Sequence, residues 1–408
     1  MHPQNISILD YTYILPAEKI ALHPLPQRDA SKLLLYKGGK IEETIFTDIT
    51  RHLPASSLLV TNNTKVINAR LVFQKPSGAR IEIFCLEPAG NITDYQTVMA
   101  ATGNSTWNCM VGGAAKWKET FLEKAIIVGH EEVILKARLL QRTGDNFLVE
   151  FSWQPSNMSF AEVIEEAGFV PLPPYIKRQA DAEDASRYQT VFARQDGSVA
   201  APTAGLHFTS TILNELSQKN IEQAQLTLHV GAGTFKPVKA SLMKDHEMHA
   251  EFMEVSKSSI QQILSFIGNI TAVGTTACRC METLYWLGVK ALQNEQATTL
   301  ALGQWELYST PLCNTKVSAA DALQALLQWM EMHKKATLFT HTQLMIAPGY
   351  RFKLVNRLVT NFHQPQSTLL LLVAAAVGGQ WKKMYDYALQ HDFRFLSYGD
   401  SNLIWINT

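Results

Sequence analysis

The sequence predicts an α/β protein, formed by a discontinuous α/β sheet domain with an inserted small β-barrel domain. Helical and strand patterns alternate from Ser159 onward, which is typical of a sheet covered by helices. Residues 72–156 instead contain short runs rich in Val, Ile and Phe between polar or glycine turns, as in small barrels. Because a buried-strand pattern at 58–60 precedes this β unit, we assign residues 1–71 and 157–408 to one α/β domain and residues 72–156 to the insertion.

The chain is long enough for two complete hydrophobic cores. It has 408 residues, whereas a single core stops growing at about 250–300 residues. Hydrophobic residues make up 46% and charged residues 18% of the sequence, which is the composition of a globular protein and excludes the disordered and coiled-coil classes. We therefore expect two domains.

Individual elements follow from hydrophobic periodicity and from capping residues. In the β unit, the pattern predicts strands at 80–86, 94–100, 132–140 and 146–151. In the α/β part it predicts strands at 225–230 and 270–273, and helices at 210–219, from Ser256 or Ser258 to 267, at 277–291 and at 318–332.

Charge and cysteine content limit the partners and the compartment. Lys and Arg total 36, as do Asp and Glu, so an RNA partner would need a local basic patch. Five cysteines, an odd number in a long chain, predict reduced thiols. The N-terminus lacks a signal-peptide pattern, and the longest apolar run, 369–377, is far shorter than the roughly 20 residues of a membrane span. We expect a cytoplasmic protein.

A first candidate site is the segment Ala-Ala-Pro-Thr-Ala-Gly-Leu-His-Phe-Thr that begins at residue 200. A turn with Thr203 and Gly205 before a helix exposes main-chain N–H groups that can bind an anion. His207 lies at the helix entrance, where it can serve as a general acid or base. A capping turn with a packed histidine is the alternative.

A second candidate site follows the predicted strand that contains His229. Ligands of open α/β sheets bind beyond the carboxyl ends of strands, and Gly231 and Gly233 allow the chain to approach a ligand closely. We include Thr234 in the same substrate site. The alternative is that His229 is a core histidine with satisfied hydrogen bonds.

A third candidate site is a glycine turn between a strand and a helix, in the segment Val-Gly-Thr-Thr-Ala-Cys-Arg. Thr275 and Thr276 offer hydroxyl and amide donors to an anion, and Arg279 one turn later can hold a carboxylate through two hydrogen bonds. This set suits the amino-acid end of a ligand. A capped helix with a surface arginine is the alternative.

The segment His-Glu-Met-His-Ala-Glu at 246–251 resembles a metal-ligand cluster. Zinc proteases need two histidines four residues apart on a helix, whereas these are three apart in a segment that we expect to be extended. In a strand, His249 and Glu251 share a face and His246 points away. We predict no metal and assign ligand contact or acid–base work to His249 and Glu251.

Polar residues near the C-terminus also fall at turns. Asn361 and His363 precede Pro365, which ends a strand, and Ser367 or Thr368 can cap the apolar helix that follows. Asp400 lies on a glycine turn, for which a solvated loop acid is the alternative. We include Asn361, His363 and Asp400 in the substrate site.

In their order along the chain, these segments resemble the S-adenosylmethionine:tRNA ribosyltransferase-isomerase family of queuosine biosynthesis. The resemblance covers nearly the whole chain and rests on Gln27-Arg-Asp-Ala-Ser, Thr64-Lys-Val-Ile-Asn-Ala-Arg, Pro171-Leu-Pro-Pro-Tyr-Ile, Tyr188-Gln-Thr, Ala200-Ala-Pro-Thr-Ala-Gly-Leu-His-Phe, Thr227-Leu-His-Val-Gly-Ala-Gly-Thr-Phe, Met248-His-Ala-Glu, Val273-Gly-Thr-Thr, Pro348-Gly-Tyr, Thr360-Asn-Phe-His and Ser397-Tyr-Gly-Asp.

The resemblance implies an α/β domain with an inserted β-barrel, in agreement with the pattern of elements. It also implies that the ribosyl part of S-adenosylmethionine, a co-substrate, is transferred to the 7-aminomethyl-7-deazaguanine base of a tRNA anticodon stem-loop. Epoxyqueuosine, adenine and methionine would be the products. We expect a monomer that uses no metal.

This reaction needs a base for a C5′ proton that the sulfonium acidifies, an acid for the departing adenine, and groups that hold the ribose oxygens. We assign His207 and His229 to acid–base chemistry and Glu251 to the ribose hydroxyls or to base work. Arg279 and the adjacent Thr-Thr pair are assigned to the methionine carboxylate.

The sequence departs from the family pattern in two ways. Lys32 and Lys65 stand where the family usually has Arg, and Asn63 stands where Asp is common; Arg and Lys are not interchangeable at bidentate sites. Between 282 and 348 the chain is longer than is typical, and the added helix at 318–332 could block or replace the tRNA surface.

Two alternative functions therefore stay open. One is a relative that uses S-adenosylmethionine with a different, non-tRNA acceptor. The other is a non-catalytic binding protein, which the several retained titratable groups argue against. If the acceptor is tRNA, the candidate basic residues for its phosphates are Lys177, Arg178, Arg187, Arg351, Lys353 and Arg357.

Overall fold

The computed structural model describes residues 2–90, 95–144, 146–231, 238 and 240–406. The strands in this part of the chain are β1 (Lys32–Lys37), β2 (Lys40–Ile45), β3 (Leu58–Asn62), β4 (Thr64–Val66), β5 (Arg70–Gln74), β6 (Arg80–Pro88), β7 (Asn104–Gly112), β8 (Leu122–Val128), β9 (Glu131–Thr143), β10 (Asn146–Gln154), β11 (Gly168–Phe169), β12 (Gln195–Ser198), β13 (Glu222–His229), β14 (Glu251–Ser256), β15 (Ile270–Val273), β16 (Thr337–Thr342), β17 (Arg357–Asn361) and β18 (Ser401–Trp405). The α-helices are α1 (Ile49–His52), α2 (Tyr95–Met99), α3 (Phe160–Ala167), α4 (Asp184–Arg187), α5 (Ser210–Gln218), α6 (Lys257–Ser265), α7 (Gly274–Gln293), α8 (Ala319–Met332), α9 (Thr368–Val377) and α10 (Trp381–Gln390).

A nine-stranded mixed sheet forms the centre of the α/β part. From one edge to the other its strands lie in the order β16, β14, β13, β3, β15, β17, β18, β1 and β2. Four neighbouring strands, β13, β3, β15 and β17, are parallel to one another. Their carboxyl ends therefore meet at one edge of the sheet, which is where ligands of open α/β sheets bind.

Helices cover both faces of this sheet because alternate side chains of its central strands enter different cores. Leu58 and Val60 pack with helices α6 to α10, whereas Leu59 packs on the opposite face with α1 and α5. All three side chains are fully buried. A strand buried on both faces shows a continuous apolar run, which is the pattern that predicts β3.

A second, seven-stranded sheet is antiparallel and comprises, in order, β11, β5, β6, β7, β10, β9 and β8. It curls enough to bring β5 near β8, and α3 fills its interior, where Phe160 stacks on Trp107 at 5.3 Å. Within the described residues, no hydrogen-bonded strand pair joins β8 to the opposite edge. The predicted β unit is thus a curled half-barrel, and its complete closure into a barrel is not observed.

One predicted strand of the β unit is wrong. Tyr95–Met99, within the predicted strand 94–100, is the helix α2. Tyr95 and Met99 are one helical turn apart, so both point to the same side. Met99 is buried in the core of the curled sheet, and Tyr95 packs on the large sheet. Tertiary packing therefore overrides the local preference for a strand.

The predicted elements of the α/β part are present. Thr209 caps α5 by accepting the N–H of Ile212 at 3.3 Å, and β15 has the predicted bounds. Helix α7 begins at Gly274, three residues before the predicted start, because this glycine turns the chain directly out of β15 with φ +89°.

Helix α8, predicted from the sequence as an addition to the family pattern, packs along the C-terminal half of α7. Gly288 of α7 makes room for the main chain of Ala322, because a Cβ there would lie 2.0 Å from the Ala322 carbonyl oxygen. At the other end of α8, the Trp329 indole donates to the Ala297 carbonyl at 2.7 Å. Gly288 is roughly 20 Å along the axis from the first turn of α7. Helix α8 therefore lies away from the end of α7 that faces the carboxyl edge of the sheet.

The apolar run near the C-terminus forms the ten-residue helix α9, which Ser367 caps. Across the described ranges, no helix is both long and apolar enough to pass through a membrane. All five cysteines are free thiols, as predicted, and four of them are buried.

Candidate active site

A polar cleft lies at the carboxyl ends of the parallel strands and encloses about 730 Å³, part of it open to solvent. Five of the predicted site residues line it: Thr203, Thr275, Thr276, Asn361 and His363. They come from three sequence motifs that are far apart in the chain. The parallel arrangement of β15 and β17 brings these motifs together.

The first turn of α7 forms one wall of this cleft. The residue before the helix, Val273, makes no side-chain cap, and no side chain of the described residues caps the first N–H groups of α7. They carry the positive end of the helix dipole. The buried Thr276 hydroxyl has no hydrogen-bond partner among the described residues. This wall therefore has donors suited to an anionic group of a ligand.

The opposite wall is held by a hydrogen-bonded chain that ends at His207. The Thr203 hydroxyl donates to Asn361 Oδ1 at 2.8 Å, and Asn361 Nδ2 lies 3.4 Å from His207 Nε2. His207 Nδ1 lies 3.2 Å from the Arg28 carbonyl oxygen, which can only accept. Nδ1 also lies 2.9 Å from the Ser31 hydroxyl, which can donate or accept, and a tautomer with the proton on Nδ1 would leave Nε2 to accept from Asn361. Burial lowers the pKa of His207 to about 4, so its ring is neutral near pH 7.

His363 is also a neutral histidine and lies two residues after the end of β17. Its Nε2 lies 2.8 Å from the Thr360 hydroxyl, and its main-chain N–H donates to the Tyr385 hydroxyl at 3.0 Å. Burial lowers the pKa of His363 to about 3. The ring thus helps to fix the turn that follows β17 and faces the cleft without charge.

We expect the folded protein to lose stability as the pH falls below about 6.5. There an unfolded chain takes up protons on His207 and His363, whereas the folded chain resists protonation until about pH 4 and pH 3. The free energy of unfolding should then fall by up to about 1.4 kcal/mol per pH unit for each histidine. Urea unfolding at pH 7.5 and 5.0 measures this loss. His363→Gln should lose less, and an equal loss in both proteins would contradict the assignment.

His229, the last residue of β13, lies in a different cavity from the other predicted catalytic histidine. Its ring stacks on Tyr95 with 4.2 Å between centroids and 11° between planes, and its Nδ1 is 3.2 Å from the Thr64 hydroxyl. Gly197, at φ +137°, makes this arrangement possible, because a Cβ there would lie 2.6 Å from Tyr95 and 2.9 Å from His229 Nδ1. Sequence analysis missed Tyr95 and Gly197, since neither belongs to a recognisable motif.

The second cavity encloses about 580 Å³ between the large sheet and the curled sheet. The curled sheet contributes Glu87 and Asn108, and the large sheet contributes His229 and His341. It adjoins the cleft, because Val230 lines the cleft and Gly231, the next residue, lines the cavity. Both sheets therefore supply polar groups to a cavity next to the cleft.

Two residues predicted for this region, Gly233 and Thr234, lie outside the described residues. Gly231 is described and lines the second cavity, although its motif predicted a common substrate site with the cleft residues.

Glu251 and Arg279, to which the sequence assigned separate roles, form one buried ion pair. Arg279 Nη1 lies 2.6 Å from Glu251 Oε2, and the two side chains are 8% and 7% exposed. Arg279 Nε donates to the Leu344 carbonyl at 3.2 Å, whereas its buried Nη2 has no partner in the described part of the chain. The guanidinium is thus occupied mainly by Glu251, its Nη2 is buried, and Arg279 does not line the cleft that contains Thr275 and Thr276.

The side chains of the segment 246–251, which resembles a metal-ligand cluster, do not come together around one point. His249 is exposed, and Glu251 is paired with Arg279. Among residues with described positions, no group of three or more His, Cys, Asp or Glu side chains is placed to hold a metal ion.

Two other predicted site residues make structural contacts. Gly205 packs on Thr190, since a Cβ at position 205 would lie 2.9 Å from Thr190 Cγ2. Asp400 is buried at 2% exposure and is not a solvated loop acid. Its oxygens accept the main-chain N–H groups of Lys32 at 2.9 Å and Arg394 at 2.7 Å. Both residues therefore fix the main chain beside the cleft.

Tyr175 and Ser397 are cleft residues that were not among the predicted site residues. Their hydroxyl groups are 2.6 Å apart, and both line the cleft. Burial raises the pKa of Tyr175 to about 12, so the phenol stays protonated. Both lie within segments that carried the family resemblance, which is the signal that could have identified them.

The three residues that were predicted to depart from the family pattern have local partners. Lys65 forms a half-exposed ion pair with Asp196 at 3.1 Å, which joins β4 to β12. Asn63 accepts a hydrogen bond from the Thr227 hydroxyl at 2.7 Å. The Lys32 ammonium group donates to a main-chain carbonyl at 2.6 Å.

A mixed α/β fold with a polar cleft at the carboxyl ends of its parallel strands defines a ligand-binding α/β protein of the enzyme type. The chain belongs to the queuosine biosynthesis protein family, which it matches over residues 8–404.

Relatives of similar length carry one enzyme name. The chain is 35% identical to the S-adenosylmethionine:tRNA ribosyltransferase-isomerase of Magnetococcus marinus over 97% of this chain and 93% of the relative. It is 36% identical to the enzyme of the same name from Geotalea uraniireducens over 97% of this chain and 99% of the relative. A crystal structure of S-adenosylmethionine tRNA ribosyltransferase from Thermotoga maritima is 28% identical, with a TM-score of 0.45 over 97% of this chain and 99% of that chain.

Proposed function

We propose that this protein is an S-adenosylmethionine:tRNA ribosyltransferase-isomerase. It transfers and isomerises the ribosyl moiety of S-adenosylmethionine onto the 7-aminomethyl-7-deazaguanine base of a tRNA anticodon, and releases adenine and methionine as epoxyqueuosine forms. Family membership and the names of its relatives support this activity. An accessible cleft is supported by the position of α8, which packs along the C-terminal half of α7 and away from the first turn of that helix.

The observation that carries the proposal is the uncapped first turn of α7 in the cleft wall. The main-chain donors of this turn, with the hydroxyl groups of Thr275 and Thr276, bind the methionine carboxylate. Asn361 and Thr203 on the opposite wall hold ribose hydroxyls. His363 completes the polar rim. Arg279, which Glu251 keeps in place, contributes its positive charge near this end of α7 without lining the cleft.

The two histidines have different parts in this proposal. His229 faces the second cavity on a stack with Tyr95, which suits direct proton transfer to or from a substrate. His207 reaches the cleft through Asn361, and its neutral ring accepts from the amide. We assign His229 to acid–base chemistry. We assign His207 to acid–base chemistry that acts through Asn361, or to holding the Asn361 side chain in its orientation.

A turnover assay tests the activity. Labelled S-adenosylmethionine is incubated with an anticodon stem-loop that carries the aminomethyl-deazaguanine base, and adenine release is followed. Release that depends on the modified base supports the proposal. Donor binding without RNA-dependent release would favour a different acceptor, and the absence of donor binding would favour a non-catalytic protein.

Thr276→Val should raise the KM for S-adenosylmethionine by about tenfold, because the loss of one hydrogen bond to a charged group is worth about 1.5–3 kcal/mol. Valine keeps the shape of the side chain, and the hydroxyl that it removes is buried without a partner in the described structure, so the fold should not lose stability. Steady-state kinetics and thermal unfolding measure the two effects.

Thr61→Val is the matched control, since Thr61 also has a buried hydroxyl without a described partner and does not line the cleft. It should leave both KM and stability unchanged. An unchanged KM in Thr276→Val would argue against the carboxylate site.

We also propose that residues 72–156 are a domain inserted into an α/β domain of residues 1–71 and 157–408, and that the enzyme is a cytoplasmic monomer. The separate core of the curled sheet supports a division, and this core extends beyond the proposed bounds to Leu71 on one side and to α3 on the other. Light scattering at the concentrations used for kinetics tests the oligomeric state.

A further inference from the structure

A pocket of about 290 Å³ beside the cleft, part of it open to solvent, has three arginines in its lining: Arg28, Arg187 and Arg394. They come from three distant segments: a short 3-10 helix before β1, the last residue of α4, and the chain after α10. His207 lies in the same wall, and Ser397 lines both this pocket and the cleft. The pocket is therefore directly adjacent to the proposed donor site.

None of these three arginines forms an ion pair with a carboxylate in the described structure. The hydrogen bonds of their side chains go to main-chain carbonyl oxygens, which leaves other N–H donors of each guanidinium available. Arg28 donates to the Gln189 carbonyl at 3.0 Å, and Arg394 donates to the Tyr398 carbonyl at 3.0 Å. Arg187 donates to the carbonyl of Pro26 at 2.9 Å and to that of Leu25. All three side chains are partly buried.

The carboxylates nearby have other partners. Asp184 is held by Arg178 through two hydrogen bonds of 2.6 and 2.7 Å. Asp400 accepts two main-chain N–H groups, and Asp29 accepts from the Thr209 hydroxyl at 3.1 Å. Burial and the neighbouring Arg187 lower the pKa of Arg28. Like charges held together in this way favour an anionic ligand.

We propose that Arg28, Arg187 and Arg394 bind a backbone phosphate of the acceptor RNA. This inference rests on the proposed function, since it assigns the RNA contact nearest to the cleft. Guanidinium groups match phosphate oxygens in charge and geometry. A carboxylate of the donor has the same charge chemistry, but the first turn of α7 already offers it a site on the opposite wall. With no net charge on the whole chain, RNA binding needs a local cluster of this kind.

The test measures RNA and donor binding separately. Anisotropy of a labelled anticodon stem-loop is recorded between 50 and 300 mM KCl for the wild type, Arg28→Gln and Arg394→Gln, and S-adenosylmethionine binding is measured by calorimetry. We expect each variant to bind RNA about tenfold more weakly at the lowest salt. The slope of log K against log salt should fall by about 0.7, the value for one phosphate on a single strand. Donor affinity should not change.

Arg51→Gln is the control, because Arg51 is 78% exposed on α1 and does not line this pocket. It should bind RNA like the wild type. Thermal unfolding identifies a variant that fails to fold, in which case the other pocket variant decides. Unchanged RNA affinity and slope would overturn the inference, as would weaker donor binding with unchanged RNA binding, which would assign the pocket to a carboxylate.

The failure of this inference differs from that of the proposed function. If wild-type protein does not release adenine with the modified RNA, the function is wrong. If it does, and both pocket variants bind RNA normally, only the phosphate site is wrong.

Discussion

Arg279→Met should lower the free energy of unfolding by about 3–5 kcal/mol, because it leaves the buried Glu251 carboxylate without the guanidinium that it pairs with. Activity should fall as well, since the variant also removes the positive charge proposed to assist with the donor carboxylate near the first turn of α7. Urea unfolding at pH 7.5 and the KM for S-adenosylmethionine measure the two effects.

A half-exposed ion pair provides the comparison. Lys290 and Glu306 are 2.6 Å apart, with side chains 26% and 39% exposed. Lys290→Met should cost no more than about 1 kcal/mol. The double variant Glu251→Gln/Arg279→Met, which removes both charges of the buried pair, should recover part of the stability. A loss below 1 kcal/mol in Arg279→Met would show that Glu251 does not depend on this partner.

Gly197→Ala should lower kcat/KM by about 100-fold, because displacement of a reacting group by about 1 Å costs that much. The new methyl group would lie 2.6 Å from the Tyr95 ring and 2.9 Å from His229 Nδ1, so the stack cannot stay in place. The φ of +137° adds backbone strain of about 1–3 kcal/mol. Adenine release and thermal unfolding measure the two effects.

Gly268→Ala is the control, because it introduces backbone strain without a steric clash. Gly268 has φ +90°, and a Cβ there would meet nothing within 4 Å. This variant should lose stability and keep its activity. If Gly197→Ala kept wild-type kcat/KM at a temperature where it is folded, the position of His229 would not matter for the reaction.

Much of the large sheet could be predicted from local sequence. The pattern of β3 and of β15, and the capping residues Thr209 and Ser318, depend on burial period and on hydrogen bonds within a few residues. These are short-range properties, so the elements that depend on them can be predicted without the tertiary structure. The same reasoning failed at α2, where Tyr95 and Met99 follow contacts with two different sheets.

The candidate site was likewise predictable from local sequence only in part. The sequence by itself determined that Thr275, Thr276, Asn361 and His363 lie at strand ends, since glycine and proline turns after apolar runs are local signals. It also determined family membership through the order of its motifs.

Only the tertiary structure decided which of these groups meet. Strand order brings the ends of β15 and β17 together in the cleft, sends His229 into a second cavity, and pairs Glu251 with Arg279. The packing of the segments between the strands also brings Arg28, Arg187 and Arg394 together around one pocket. The physical reason is that these contacts join residues far apart in the chain, so they depend on how the strands cross over and pack and not on any local pattern.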